Sequence, residues 1–468
     1  MKKIGIIFLV MWLILGLFSI PAFAADEMNG NCNGMDATNA LIENIVITNA
    51  TAAVVYEQNS GTMMYAQNID ERMYPASFVK IMTALLAIEK GTLTDTVTVS
   101  KEALAAVSPG AVTAKLLIGE KLTLKDLLYC MLTGSANDAA AVIAVHIGGD
   151  VASFVSMMNS RAAELGCKDT KFVDPHGLQS KGQYTTARDM LRIISCAMET
   201  DGFAEIFGAV SYTVPATEMS AARELKTSNY LTDSKMQKYY DSRVIGGRTG
   251  VAGDKTRCVA AVAKKDNMQV ISVLFGAKSK FAADKYTVEL YGGFQETSKL
   301  LDASLSAYRI AQVLYEDQIL AQRSVVNGDN DLVLVPAEAK TVIIPKDVDP
   351  HELEYRYLDS GRTYQAPIAE GTTLTGVEIW YNGKCLAEVD LLARNSVAVA
   401  SSKVGVVENT DTIEFHPLFI ILPLIAGAIL LGIWYLHLIR GKKHKRAVRR
   451  KAAERRNRNV GTAAKRMR

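Results

Sequence analysis

The sequence predicts an α+β domain followed by a small all-β module and a C-terminal transmembrane helix. Three observations carry this expectation. Strand-like runs flank a helical block, at about 45–68 and 257–275, and strands so placed meet in one sheet with the helices packed against it. After about residue 306 the texture changes to short β-branched runs parted by turn residues. Near the end, "PLFIILPLIAGAILLGIWYLHLI" (417–439) carries no charge and is long enough to span roughly 30 Å of hydrocarbon at about 1.5 Å per residue.

The chain opens with a basic start, an apolar run and the small-residue pattern Ala22-Phe23-Ala24, the layout of a secretory signal over 1–24. No cysteine ends that run, so a lipoprotein anchor is not expected. A short exported segment, 25–39, leads into the α+β domain, 40–305. Here "IVITNATAAVVYEQNSGTMMYAQN" alternates around Asn59-Ser60-Gly61 as a hairpin would. Helical spacing then dominates 77–90, 100–107, 123–133, 136–147, 151–165 and 185–199. Strand character returns at 257–264 and 268–275, and a helical stretch follows at about 285–303. The all-β module occupies 306–402, with Asn382-Gly383 between "VEIWY" and "CLAEVDL" a strong hairpin signal. A stalk, 403–416, leads to the span at 417–439 and a tail at 440–468.

That tail holds 14 Lys or Arg against the single Glu454, and basic segments beside a membrane helix stay cytoplasmic. The bulk of the chain is therefore expected outside the cell membrane as a single-pass protein. Removing the tail's charge and Lys2 and Lys3 from the whole-chain +3 leaves about −12 for the exported part, which argues against a nucleic-acid partner. The six cysteines include no CxxC pair and the six histidines no HExxH, and there is no Gly-rich phosphate loop, so neither a metal nor another cofactor is expected. Export permits disulfides, but a domain this large does not need them, and most cysteines are expected as small buried apolar residues.

Three short stretches could carry chemistry. In "YPASFVKIMT" Ser77 and Lys80 stand one helical turn apart. Pro75 favours an extended approach, placing Ser77 at a helix start where the dipole favours negative charge. Among Phe78, Val79, Ile81 and Met82, Lys80 would be desolvated and its neutral form favoured, so that it could take the serine proton. The bland alternative is a helix N-cap and a surface charge. In "MLTGSANDAA" Ser135 and Asn137 lie in a polar break between helices. The hydroxyl could relay a proton and the amide hold a carbonyl, or the stretch could be a plain N-cap. In "VIGGRTGVAG" Arg248, Thr249 and Gly250 lie on an expected strand. The glycines would admit a substrate backbone and the cation and hydroxyl would suit an anion; a turn is the alternative.

In this order, with 55 residues from Lys80 to Ser135 and 111 from Asn137 to Arg248, the three resemble the SxxK, SxN and KTG boxes of the penicillin-recognising serine enzymes. "YPASFVKIMTALLAIE", "FVDPHGL" (172–178), "YTTARDM" (184–190) and "TSNYL" (227–231) are similar to stretches of the low-molecular-weight D-alanyl-D-alanine carboxypeptidases, and the β-module to their C-terminal domain. The resemblance covers roughly 40–402. It implies a serine β-lactamase/transpeptidase-like domain, an antiparallel sheet with helices, that removes the terminal D-alanine from peptidoglycan pentapeptide stems. Ser77 would be acylated, Lys80 would accept its proton, and Ser135 would help pass it to the leaving D-alanine. Asn137 would hold the peptide, Arg248 and Thr249 the terminal carboxylate, and the N–H groups of Ser77 and Val251, beside Gly250, the oxyanion. Implied partners are the stem peptides, β-lactams that acylate Ser77, and the lipid bilayer through the C-terminal helix. The chain departs from the pattern with Arg248 for the usual Lys, with "VAGDKTRC" after it, and with Gln183 for a frequent His. Two rivals follow: a β-lactamase, against which the β-module and anchor speak, and a non-catalytic wall-binding protein of the same fold.

Overall fold

A computed structural model describes residues 37–178, 181–252, 256–281 and 288–400. The expected signal, stalk, membrane span and tail lie outside the described residues. Among the described residues no single helix is long and apolar enough to cross a membrane.

The sheet is built from both ends of the first domain, as the flanking strand runs predict. Strands β1 (Ala52–Glu57) and β2 (Thr62–Gln67) form the expected hairpin, turned at Gly61 with φ 71°. Strands β3 (Val244–Val251), β4 (Thr256–Lys265) and β5 (Met268–Phe281) complete the antiparallel order β2-β1-β5-β4-β3. Val54 pairs with Val273, and Arg248 with Ala260. A short β6 (Val288–Tyr291) pairs with β5.

Every residue of β1 is buried because successive side chains enter different cores. Ala52, Val54 and Tyr56 pack among the helices, with Cys258, Ala260, Val262, Ile271, Val273 and Phe275. Ala53 and Val55 face the other way, with Val259, Ala261, Val270 and Leu274. Both faces of the sheet are thus covered, which replaces strict alternation by continuous apolar runs such as "AAVVY".

On the first face lie α1 (Val79–Lys90), α2 (Leu124–Leu132), α3 (Asn137–Gly148), α4 (Val151–Glu164) and α5 (Ala187–Glu199). The second face is covered by α6 (Gly292–Leu305). α1 is buried around its whole circumference from Val79 to Ala87, the pattern of a central helix. A capping box of Thr123 and Asp126 starts α2, and the Thr186 side chain caps α5 by accepting from the Asp189 N–H.

The C-terminal all-β domain holds a five-stranded sheet in the order Ala321–Arg323, Leu332–Pro336, Lys384–Ala393, Thr373–Tyr381, Glu354–Tyr357. Tyr308–Leu314 pairs separately with Lys340–Pro345. The expected hairpin is present: Asn382 and Gly383 both take positive φ, 47° and 75°, as a two-residue turn matched to strand twist requires. Cys130, Cys167, Cys196 and Cys258 are free, whereas Cys385 is disulfide-bonded.

Candidate active site

The nucleophile turn is built differently from the extended approach that Pro75 suggests. Pro75 is itself helical (φ −72°, ψ −23°) and Ala76 is left-handed at φ 47°, a conformation costing a residue with a Cβ about 1–2 kcal/mol. The 3-10 turn Ala76–Phe78 then runs into α1. Two glycines clasp it. A Cβ at Gly250 would stand 3.0 Å from the Ser77 nitrogen, and one at Gly177 would stand 1.8 Å from the Ala76 carbonyl oxygen. Only residues without side chains let the edge strand and the 174–177 turn approach this closely.

Ser77 is partly exposed, while Lys80, one turn further on, is 1% exposed. The Lys80 amine donates to Asn137 Oδ1 at 2.7 Å and to the His176 carbonyl at 2.5 Å. Burial, reinforced by the Arg248 charge, holds this amine well below the usual lysine range, against an opposing pull from Asp174. An amine with two acceptors uses two N–H groups, and in its neutral form keeps a lone pair for a hydroxyl proton.

Asn137 opens α3, and its amide is shared. Its Oδ1 receives Lys80, and its Nδ2 donates to the Val112 carbonyl at 2.9 Å, as does its backbone N–H at 2.8 Å. The stretch is not the plain N-cap that was the alternative: the cap residue is Ala136, with no side-chain cap bond. The Asp138 carboxylate instead receives the Ala114 and Leu116 N–H groups, at 2.9 and 3.1 Å, holding the 112–116 loop against the site. Ser135, between α2 and α3, is left-handed at φ 59°.

Arg248 is 3% exposed on β3. Its Nη2 donates to Ser135 Oγ at 2.7 Å and its Nη1 to the Leu132 carbonyl, so the guanidinium fork spans the break between α2 and α3. Among the described residues, its Nε has no hydrogen-bond partner. Burial pushes this guanidinium down to about 10. Thr249 shares a 2.8 Å hydrogen bond with Ser228. Val251, at the strand end, is 59% exposed, so β3 passes from the buried cation to an open rim along four residues. Behind Gly250 sits Cys258, fully buried, its thiol pushed up to about 12 by that burial.

The three motifs thus meet, joined by Lys80 to Asn137, Arg248 to Ser135 and Gly250 against Ser77. Sequence reasoning about side chains missed the carbonyls of His176, Val112 and Leu132, because a carbonyl leaves no residue signature. It also missed Asp174, Ser228 and Cys258. The similarity of "FVDPHGL" and "TSNYL" to family stretches was the available signal for the first two of these.

Comparison with known proteins follows the same division of the chain. Residues 39–279 match the D-alanyl-D-alanine carboxypeptidase family and residues 308–399 the penicillin-binding protein 5 C-terminal domain. The chain is 30% identical over 359 residues to the D-alanyl-D-alanine carboxypeptidase DacF of Bacillus subtilis, covering 75% of this chain and 86% of that one. It is 28% identical over 395 residues to DacC of Escherichia coli, covering 82% and 89%. The crystal structure of penicillin binding protein 5 from Haemophilus influenzae is similar with a TM-score of 0.63 at 28% identity, covering 76% of this chain and 99% of that one.

Proposed function

This chain belongs to the D-alanyl-D-alanine carboxypeptidase family of low-molecular-weight penicillin-binding proteins, and from that premise we propose how its residues divide the reaction. The enzyme is a serine-type D-Ala-D-Ala carboxypeptidase that binds β-lactams. The Ser77 hydroxyl attacks the carbonyl of the penultimate D-alanine and Lys80 takes its proton. Ser135 relays that proton to the leaving D-alanine nitrogen, and water then hydrolyses the ester on Ser77. One observation carries this reading: the amine one turn from the partly exposed serine is sealed from water and held by two carbonyl acceptors. A surface lysine would be protonated and useless as a base.

Arg248 and Thr249 receive the terminal carboxylate, supported by the buried guanidinium with an uncommitted Nε donor. Because its fork also holds the Ser135 oxygen, the hydroxyl proton is turned toward Lys80 and the leaving group. The Ser77 and Val251 N–H groups serve the oxyanion, with Gly250 admitting the substrate backbone, and Asn137 fixes both Lys80 and the peptide. Stem peptides of peptidoglycan are the substrate. Residues 1–24 direct export, 40–305 and 306–402 form the two outer domains, and 417–439 tethers them to the membrane with 440–468 in the cytoplasm.

The test is D-alanine release from diacetyl-Lys-D-Ala-D-Ala by the full-length chain in detergent, beside fluorescent-penicillin labelling and a Ser77→Ala control. Release and labelling are expected, both lost in the control. Rapid penicillin turnover would make it a β-lactamase, and neither signal from folded protein would leave a non-catalytic wall-binding protein.

A further inference from the structure

A buried carboxylate lies in the turn that receives Lys80, and the catalytic steps give it no task. Asp174 is 8% exposed and lies in the 174–177 turn. Its Oδ1 receives the N–H groups of His176 and Gly177, at 3.0 and 2.5 Å, and stands 3.1 Å from Nδ1 of the His176 ring. This is the turn whose carbonyl, that of His176, receives the Lys80 amine. Its other members are also tied down. Thr83, on α1 just beyond Lys80, donates to the Pro175 carbonyl at 2.6 Å, and the Tyr74 hydroxyl donates to the Gly177 carbonyl at 2.9 Å. Gln183 Oε1 receives the Val173 and Asp174 N–H groups, at 3.0 and 3.4 Å. The turn is therefore a rigid bracket on the first two turns of α1, with a carboxylate at its centre.

We propose that Asp174 is a positioning residue for Lys80: it folds the 174–177 turn so that the His176 carbonyl meets the amine, and its buried negative charge offsets that of Arg248 across the amine. The proposal rests on the reading of Lys80 as proton acceptor. Besides burial, the charges that act on the amine are Arg248 from β3, which opposes its protonated form, and Asp174 from the turn, which favours it. Cys258 adjoins Arg248 and is held neutral by burial; His176 and Tyr74 border the turn. With Arg248 alone, a buried cation would face Lys80 uncompensated and the protonated form needed midway through the reaction would be opposed. With Asp174 present, the amine can be neutral before attack and cationic after it.

Two substitutions in the full-length chain test this, read by the pH dependence of fluorescent-penicillin acylation. Asp174→Asn keeps an oxygen for the two N–H groups but removes the charge. The acid limb is expected to move down by about one pH unit, with a lower plateau rate, because the protonated amine needed midway is no longer favoured. His176→Asn keeps the carbonyl that Lys80 uses but removes the ring that helps hold the Asp174 carboxyl ionised, so the limb is expected to move down as well, by less than in Asp174→Asn. A bracket acting only through shape would leave the limb in place in both folded variants, and that result overturns the proposal. Should Asp174→Asn not fold, the His176→Asn limb decides alone. Loss of labelling in Ser77→Ala with unmoved limbs would refute this proposal and leave the carboxypeptidase reading standing.

Discussion

Gly250→Ala is a small change with a large expected effect, because the space it needs is occupied by the Cys258 thiol on one side and the nucleophile turn on the other. The added methyl would lie 2.8 Å from Cys258 Sγ, 3.0 Å from Ala76 Cβ and 3.0 Å from the Ser77 nitrogen. Ordinary contacts between such atoms begin at about 3.5 Å, so neighbours must retreat by about half an ångström on two sides at once. Ala76 and Ser77 are pinned from behind by Gly177, which leaves β3 as the part that yields, carrying Arg248 and Thr249 with it. Overpacking of this kind costs about 1–3 kcal/mol of stability. A displacement approaching 1 Å at a reacting centre costs about a hundredfold in rate, so a loss of about tenfold to a hundredfold in acylation is expected. The assay is the second-order rate of fluorescent-penicillin labelling beside a thermal melt. Cys258→Ala in the same chain removes the nearest of the three contacts and should restore part of the loss, an interaction a double-mutant cycle measures. Gly177→Ala should be worse, since its methyl would meet the Ala76 carbonyl at 1.8 Å and φ is 79°. Labelling by Gly250→Ala within twofold of the native chain, at an unchanged melting temperature, would refute the reasoning.

Other substitutions test the charges. Arg248→Lys keeps the cation but cannot reach both Ser135 Oγ and the Leu132 carbonyl. The loss of one charge-assisted bond, about 1.5–3 kcal/mol, should lower kcat/KM for D-alanine release by about tenfold or more, and an unchanged kcat/KM would count against the fork. The acylation rate should rise with pH through the depressed value of Lys80 and then level, because the neutral amine is the active form. Stability should rise over the window from that value to about 10.4, where the unfolded chain binds a proton that the folded chain does not. An acid limb at the ordinary lysine value would show that Lys80 is not the base. Glu120, whose side chain is fully buried, takes Arg223 Nη2 on both oxygens at 2.7 and 2.8 Å. Glu120→Gln should therefore cost about 3 kcal/mol in a denaturant melt with little change in the labelling rate of the remaining folded protein.

The amino-acid sequence by itself determined the strand-helix-strand order, the hairpins at Asn59-Ser60-Gly61 and Asn382-Gly383, and the three motifs that meet at the site. These are local signals: periodicity, turn chemistry and a serine one helical turn from a lysine all act between near neighbours, so they survive in one dimension. The apolar surroundings of Lys80 were legible for the same reason, since α1 is apolar on every side. The tertiary structure decided what surrounds each group. The backbone carbonyls of His176, Val112 and Leu132 receive Lys80, Asn137 and Arg248, and every residue has such a carbonyl, so only folding selects which ones matter. The left-handed residues Ala76 and Ser135 are likewise held by distant parts of the chain, Ala76 between Gly177 and Gly250 and Ser135 by the Arg248 side chain. Asp174 acts on the charge of Lys80 across 94 residues of chain. A Coulomb interaction depends on distance in space, and the sequence records only distance along the chain.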